Sequence, residues 1–406
     1  MSSEVNEQYC IALQPICDAS LGHIGDELLY RSGLDVTRAQ ILDDEQATAR
    51  VFNAAFYEAG IDRLVGDRQV FVNMPTNWLL KPELLPPHPQ QLVIEVLETV
   101  AADPNVLAAL HKIRSLGFSI ALDDFVLTSE NRPLLDVAHI IKVDVQQGID
   151  EQALAQYRLR NLTLLAEKVE EYQEYTSLRD AGFELFQGYF YARPETHRAT
   201  ARQRSSNRAA LVRILTELRH DDINFRELES LITQDPELTF QLLKYTNSAL
   251  FHHTGSVTNI TQVLNVLGLS RVRSVTLTIL LANNGPVSRL LLSQALTRAA
   301  MCASLMGERV DSGGEAFTAG LISMMDILLG ESLESLLADL PLDATTAQAI
   351  LHREHALGST LSRIETFEKG EVAGWENENI ESFNQVWLDS QIWATQTLAA
   401  ISKFAA

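Results

Sequence analysis

Through the first half of the chain, short runs of alternating apolar and polar residues are followed by segments whose apolar positions recur every three or four residues. The alternating runs predict strands over residues 11–15, 69–73, 92–95, 119–122, 140–143, 162–166 and 184–187. The amphipathic segments 105–116 and 169–181 predict helices between them. Strands that alternate with helices imply parallel βα repeats, closed into a TIM-like barrel or wound as an open sheet. A barrel is favoured because the conspicuous polar residues fall at the ends of several separate strands, where barrel active sites are built. Beyond Pro194 the pattern changes. Residues 197–208 (HRATARQRSSNR) are polar, basic and poor in large apolar side chains, as in a linker. From Ala209 onward helical spacing dominates, with Leu211, Ile214, Leu215 and Leu218 on one stripe and Val263, Val266 and Leu267 on another. Asp235-Pro236 reads as a helix cap followed by a first-turn proline. The expected organisation is therefore α/β: a barrel over residues 1–196, a linker over 197–208, and an all-α domain over 209–406.

The chemistry of the first half lies at its predicted strand ends. One run ends in Asn73, another in Glu95, and a third runs straight into Asp123-Asp124. The next carries Lys142 and Asp144, and the next Glu167 with Glu170 three residues on. Earlier, Glu27-Leu-Leu-Tyr-Arg31 supplies another carboxylate. A core has no use for adjacent aspartates, because buried carboxylates need partners or a cation. Hard oxygen donors of this kind select Mg, Mn or Ca. Blander readings exist for single residues: Asp123-Asp124 as a helix cap pair, Lys142 as a surface lysine, and Glu170 as part of a solvated acidic helix. His352 and His355 have the spacing of a shared helix face.

Composition narrows the partners. The chain has 406 residues, 46% of them hydrophobic and 21% charged, which suits two soluble domains. Its formal net charge of −21 argues against nonspecific binding to DNA or anionic lipid. No apolar run is long enough to span a bilayer, and Met1–Gln8 does not read as a secretory signal, so a cytoplasmic location is expected. Cys10, Cys17 and Cys302 match neither a zinc pattern nor a disulfide framework.

In order along the chain stand Gln14-Pro-Ile16, Glu27-Leu-Leu-Tyr-Arg31, Val72-Asn73, Glu95-Val-Leu-Glu98, Asp123-Asp-Phe125, Lys142-Val-Asp144, Ala166-Glu-Lys-Val-Glu170 and Gln187-Gly-Tyr189. This series resembles the EAL family of cyclic di-GMP phosphodiesterases, over about residues 9–194. The resemblance implies one divalent ion on Glu27, Asn73, Glu95 and Asp123, and a second on Asp123, Asp124 and Glu167. It implies Mg or Mn as cofactor, with Ca inhibitory. Lys142, with Asp124 and Glu167, would serve catalysis at the scissile phosphate. Gln14, Leu29, Arg31, Asp144 and Gln187 would contact the nucleotide, and Glu170 would support the ligands from behind. Three features depart from the family pattern, one of them a shorter segment between Arg31 and Phe71. Leu28 replaces the alanine of the signature, and Val126 begins a 126–133 loop where active members carry glycine.

The second half is similar to the HDOD domain, a relative of HD-type metal phosphohydrolases. Its markers are Gln234-Asp-Pro-Glu-Leu-Thr-Phe240, Leu243-Lys-Tyr-Thr-Asn-Ser-Ala249, Ile260-Thr-Gln-Val-Leu-Asn-Val-Leu-Gly268 and Phe317-Thr-Ala-Gly-Leu-Ile-Ser-Met-Met-Asp326. Ser323 and Met324 stand where catalytic HD proteins carry a metal-binding His-Asp pair, and neither can hold a hard dinuclear centre. Together the two resemblances point to the EAL–HDOD two-domain signalling proteins. They imply a phosphodiesterase with a noncatalytic helical output domain, an expected homodimer, and an unknown protein partner. A nonhydrolytic cyclic di-GMP receptor and a protein-interaction scaffold remain the alternatives.

Overall fold

A computed structural model of the chain describes residues 9–32, 52–190, 232–233, 239, 242–243, 245–247, 257, 259–282, 286–310, 314–329, 332–339, 342, 344–372 and 374–402. The chain divides into two compact units, residues 1–191 with 370–384, and residues 192–369 with 385–406. The linker expected at 197–208, the helical stripe at Leu211–Leu218 and the Asp235-Pro236 helix start all lie outside the described residues.

The first unit contains eight strands: β1 (Tyr9–Asp18), β2 (His23–Ser32), β3 (Gln69–Met74), β4 (Leu92–Val96), β5 (Ser119–Leu122), β6 (Ile140–Asp144), β7 (Thr163–Val169) and β8 (Leu185–Gly188). They close into a barrel in sequence order. Alternation alone predicts seven of them. The eighth, β2, carries the Glu27-Leu-Leu-Tyr-Arg31 segment that had stood out only for its chemistry. The barrel is also not uniformly parallel. β1 runs antiparallel to both β2 and β8, and the remaining neighbours pair in parallel. The cause is local: β1 and β2 are joined by a turn far too short for a crossover. Asp18 closes that turn, its Oδ1 accepting from the Ser20 and Gly22 amides at 2.7 and 2.8 Å.

Inside the barrel, the two-residue period of a strand builds two layers. Ile16, Phe71, Val93, Ala121, Ile140 and Leu165 form one buried apolar cluster, with Leu185 packed against it. Two residues further along β3 to β8 come Asn73, Glu95, Asp123, Lys142, Glu167 and Gln187. The apolar layer is thus the floor on which the polar layer stands.

The helix predicted over 105–116 is present as Pro104–Ser115. Asp103 caps it by accepting from Asn105 and Val106, and it buries Val106, Leu110 and Ile113. The segment predicted as a helix over 169–181 is helical only over Tyr172–Asp180, because Val169 still belongs to β7.

Every regular element among the described residues of the second unit is a helix. Its helices include Ile260–Leu267, Leu269–Ala282, Pro286–Leu305, Glu315–Ile322, Met325–Leu329, Ala344–His352 and His355–Glu368. Small residues let two of these helices approach closely: a Cβ on Gly320 would lie 2.7 Å from the Cα of Ala299. His352 and His355 do not share a helix face. One ends a helix and the other begins the next, with a turn between them whose Arg353 has a φ of 59°. His252-His253 lies outside the described residues. No helix among the described residues is long and apolar enough to cross a membrane.

Candidate active site

Lys142, on β6, sits at the centre of the polar layer with its side chain 1% exposed. Its Nζ lies 2.6 Å from Glu95 Oε1, 2.8 Å from Asp123 Oδ1, 3.0 Å from Glu167 Oε1 and 3.2 Å from Glu27 Oε2. The surface-lysine reading of Lys142 therefore falls. Four strands deliver four carboxylates to one ammonium. Gln187 Nε2 donates to Glu27 Oε2 at 2.7 Å, and Asn73 Nδ2 donates to Glu27 Oε1 at 3.3 Å. These two amides fix the orientation of Glu27.

The charge is unbalanced, with four carboxylates against one ammonium. Burial, then Glu27 and Asp123, pushes the Glu95 carboxyl well above the usual range, with Lys142 opposing. Burial also raises Glu167 to about 7, again against the pull of Lys142. Burial alone would lower Lys142, but Glu95, Glu27, Glu167 and Asp123 outweigh it and hold the ammonium well above its ordinary value.

Several buried oxygens in this layer have no hydrogen-bond partner: Asn73 Oδ1, Glu95 Oε2, Asp124 Oδ1, Glu167 Oε2 and Gln187 Oε1. Orphaned buried acceptors together with surplus negative charge are what a hard cation would satisfy. The donor set therefore fits divalent ions chemically. In the described arrangement the carboxylates converge on Lys142 rather than on one another, and no three His, Cys, Asp or Glu side chains among the described residues stand in metal-holding geometry.

The remaining predicted residues surround this centre. Asp124 follows Asp123 at the end of β5 with a φ of 43°, in the left-handed region. This turn sends the two neighbouring carboxylates to different partners. Asp144 is buried at the end of β6, where its Oδ2 lies 2.6 Å from Lys168 Nζ and its Oδ1 accepts from the Gln146 amide at 2.9 Å. Gln14 faces Glu27 across the β1–β2 ladder, and Leu29 pairs with Ala12 there. Arg31 lies on β2, its side chain outside the described residues. Glu170 is outside the cluster and exposed; its Oε1 accepts from Gln146 Nε2 at 2.7 Å. The 126–133 loop is closed on itself: the Thr128 amide donates to Asn131 Oδ1 at 2.8 Å and Asn131 Nδ2 donates to Val126 O at 2.9 Å.

Two residues escaped the sequence reading. Asp26, next to Glu27, points to the opposite face, where His23 Nε2 (2.8 Å) and Arg68 Nε (2.9 Å) hold it. Its burial opposes ionisation, but His23 and Arg68 bring its carboxyl down to about 2. The other is Lys168. The β7–β8 register slips between Ala166 and Val169, so two residues of β7 oppose one of β8. Lys168 takes a φ of 57° in this bulge and turns to the rim. Strict alternation gives no sign of it. Gly188 makes the bulge possible: a Cβ there would lie 2.1 Å from Val169 O.

In the helical unit, Ser323 and Met324 form the turn between two helices. Ser323 Oγ donates to Gly320 O at 2.7 Å and accepts from Arg298 Nη1 at 3.3 Å. Arg298 also pairs with Glu368 and Glu365, and Arg353 Nη2 lies 2.6 Å from Glu365 Oε1. A guanidinium–carboxylate network thus occupies the neighbourhood of Ser323.

Comparison with known proteins agrees with both halves. The EAL domain family matches residues 69–194 and the HDOD domain family matches residues 206–358. The chain thus carries an EAL-domain match followed by an HDOD-domain match. Over 401 residues it is 29% identical to the cyclic di-GMP phosphodiesterase CdgJ of Vibrio cholerae serotype O1, covering 95% of this chain and 92% of that protein. It is 28% identical over 373 residues to the uncharacterized protein YuxH of Bacillus subtilis, covering 88% of this chain and 90% of the relative. Among solved structures, the phosphodiesterase PaMucR in complex with c-di-GMP is 27% identical over 45% of this chain and 95% of its own, with a TM-score of 0.35.

Proposed function

We propose that the barrel hydrolyses cyclic di-GMP to the linear dinucleotide with two divalent cations, Mg or Mn, and that the helical domain regulates it or passes on its state. The observation that carries this reading is the convergence of Glu27, Asn73, Glu95, Asp123 and Glu167 from separate strands around Lys142, with orphaned buried oxygens among them. It is supported by similarity to CdgJ over nearly the whole of both chains.

Glu27, Asn73, Glu95 and Asp123 would hold one cation, and Asp123, Asp124 and Glu167 the other. Bound there, the ions would polarise the phosphodiester and lower the pKa of the attacking water. Asn73 and Gln187, which both donate to Glu27, would steady it for the ion. Lys142, relieved of part of its carboxylate load, would present a point charge to a phosphate oxygen. Burial raises Glu167 to about 7 without an ion, so a cation binding there would displace its proton near neutral pH. Gln14, Leu29, Arg31 and Asp144 would line the nucleotide, and Glu170 would act from outside through Gln146. The assembly would be a homodimer in the cytoplasm, with a protein partner on the helical domain and Ca as an inhibitor.

The test is turnover of cyclic di-GMP by the full chain with Mg or Mn. Glu27→Ala should lower the rate by more than roughly 100-fold, since it removes a ligand and its two amide supports lose their acceptor. Full activity in Glu27→Ala and in Asp123→Ala would remove the site assignment. A second reading is a receptor that binds without hydrolysis, favoured by the hold of four carboxylates on Lys142. Binding of the nucleotide with Ca, without turnover in Mg or Mn, would select it.

A further inference from the structure

Lys168 is a cation on the rim that the expected ligand set does not include. Its Nζ lies 2.6 Å from Asp144 Oδ2 and 3.8 Å from Asp124 Oδ2, and its side chain is 51% exposed. Asp144 is otherwise well satisfied, accepting from the Gln146 amide and from Gln147 Nε2 at 3.0 Å. Asp124 is not: its Oδ1 is buried without a hydrogen-bond partner, as is Glu167 Oε2. Asp124 and Lys168 both adopt left-handed backbone, with φ of 43° and 57°. Neither is glycine, so the fold holds both in a conformation that L-residues avoid and brings their side chains together.

Resting on the two-cation reading above, we propose that Lys168 is a tethered counter-cation at the second metal position, competing with the divalent ion for Asp124 and separating the filling of the two positions. The physical basis is like-charge repulsion. An ammonium within 4 Å of a ligand oxygen stands close to any ion on that oxygen. Its effect should fall on the position built from Asp123, Asp124 and Glu167, because among the described residues its ion-pair partners are Asp144 and Asp124, and Asp124 belongs to that position alone. Since the side chain is half-exposed and anchored at its tip to Asp144, it can yield to a divalent ion at sufficient concentration. The barrel would then fill its first position at low metal concentration and become competent only when the second fills.

The test is a Mn2+ titration of the full chain, following the free ion by electron paramagnetic resonance. Lys168→Met keeps the side-chain length and removes the charge. Lys168→Arg keeps the charge. Lys168→Gly removes the charge and suits the left-handed backbone, which guards against a folding defect in the methionine variant. Wild type and Lys168→Arg should show two separated uptake steps. Lys168→Met and Lys168→Gly should tighten the second step by roughly tenfold and leave the first unchanged. Two uptake steps that superpose in wild type and both charge-removing variants would overturn the proposal alone. No uptake of Mn2+ by any of the four proteins would overturn the two-cation reading, and this inference with it.

Discussion

At the scale of single residues, Lys142 decides how the barrel holds together without metal. Glu95 is completely buried and, among the described residues, has only Lys142 as an ion-pair partner. Removing one partner of a buried pair leaves the other charge uncompensated, typically at about 3–5 kcal/mol. Lys142→Met should therefore lower the melting temperature of the full chain well beyond the effect of a surface substitution. Divalent ions should offset more of that loss in the variant than in wild type, because ligand binding to the native state stabilises it. The measurement is the Mn2+-induced shift in melting temperature of both proteins; equal shifts would show that Lys142 and a cation do not share the same carboxylates. Most of this site was legible in the sequence, because Asn73, Glu95, Asp123, Lys142 and Glu167 each sit two residues beyond an apolar floor residue. Lys168 was not legible, since the bulge that aims it depends on the approach of Gly188 in another strand.

At the scale of elements, alternation worked where a strand has one apolar and one polar face, and missed β2. In β2 the side chains that pass from one face to the other are Asp26 and Glu27, both charged and both buried, so no apolar–polar contrast marks the strand. The histidine pair misled for a similar reason: spacing specifies a helix face only if the helix is continuous, and the chain breaks at Arg353. That break has its own role. It brings Arg353 to Glu365, which also meets Arg298. Burial opposes ionisation of Glu365, but Arg353 and then Arg298 hold its carboxyl below the usual value. A depressed carboxyl contributes stability above its unfolded pKa and loses it as pH falls through the folded one. Glu365→Gln should thus cost about 1–3 kcal/mol at neutral pH. The gap in melting temperature between variant and wild type should close as pH drops below about 4.5, the ordinary value for glutamate. A gap that stays constant from pH 6 to pH 3.5 would show that the ion pairs contribute nothing net.

At the scale of the whole molecule, the boundary between barrel and helices is not one cut in the chain. Residues 370–384 cluster with the barrel unit although they follow most of the helical one in sequence. No pattern in residues 197–208 could have announced this, because it depends on a segment more than 160 residues further on. The contact is specific: the Ile11 amide, buried in β1, donates to Asn384 Oδ1 at 3.1 Å. β1 pairs with β8 only from Ile16 to Asp18, so the ladder on that side stops short of Ile11 and a side chain takes over. Val372, Ile380 and Phe383 are buried in the same segment, and Trp375 meets Phe383 edge-on at 4.9 Å. A chain ended near Arg202 should therefore be a destabilised barrel rather than an independent domain. Any loss of turnover in it would first report that missing segment, and only then a regulatory signal from the helices. Asn384→Leu in the full chain separates the two effects, since it removes the acceptor and keeps every domain in place. It leaves a buried amide unpaired, at about 1–3 kcal/mol. Hydrogen exchange at Ile11 should speed up in Asn384→Leu, and the barrel's melting transition should fall in both proteins. If the truncated barrel melts at the wild-type temperature and the Ile11 amide stays equally protected in Asn384→Leu, residues 370–384 are not part of the barrel's fold, and activity changes on truncation can be assigned to the helical domain directly.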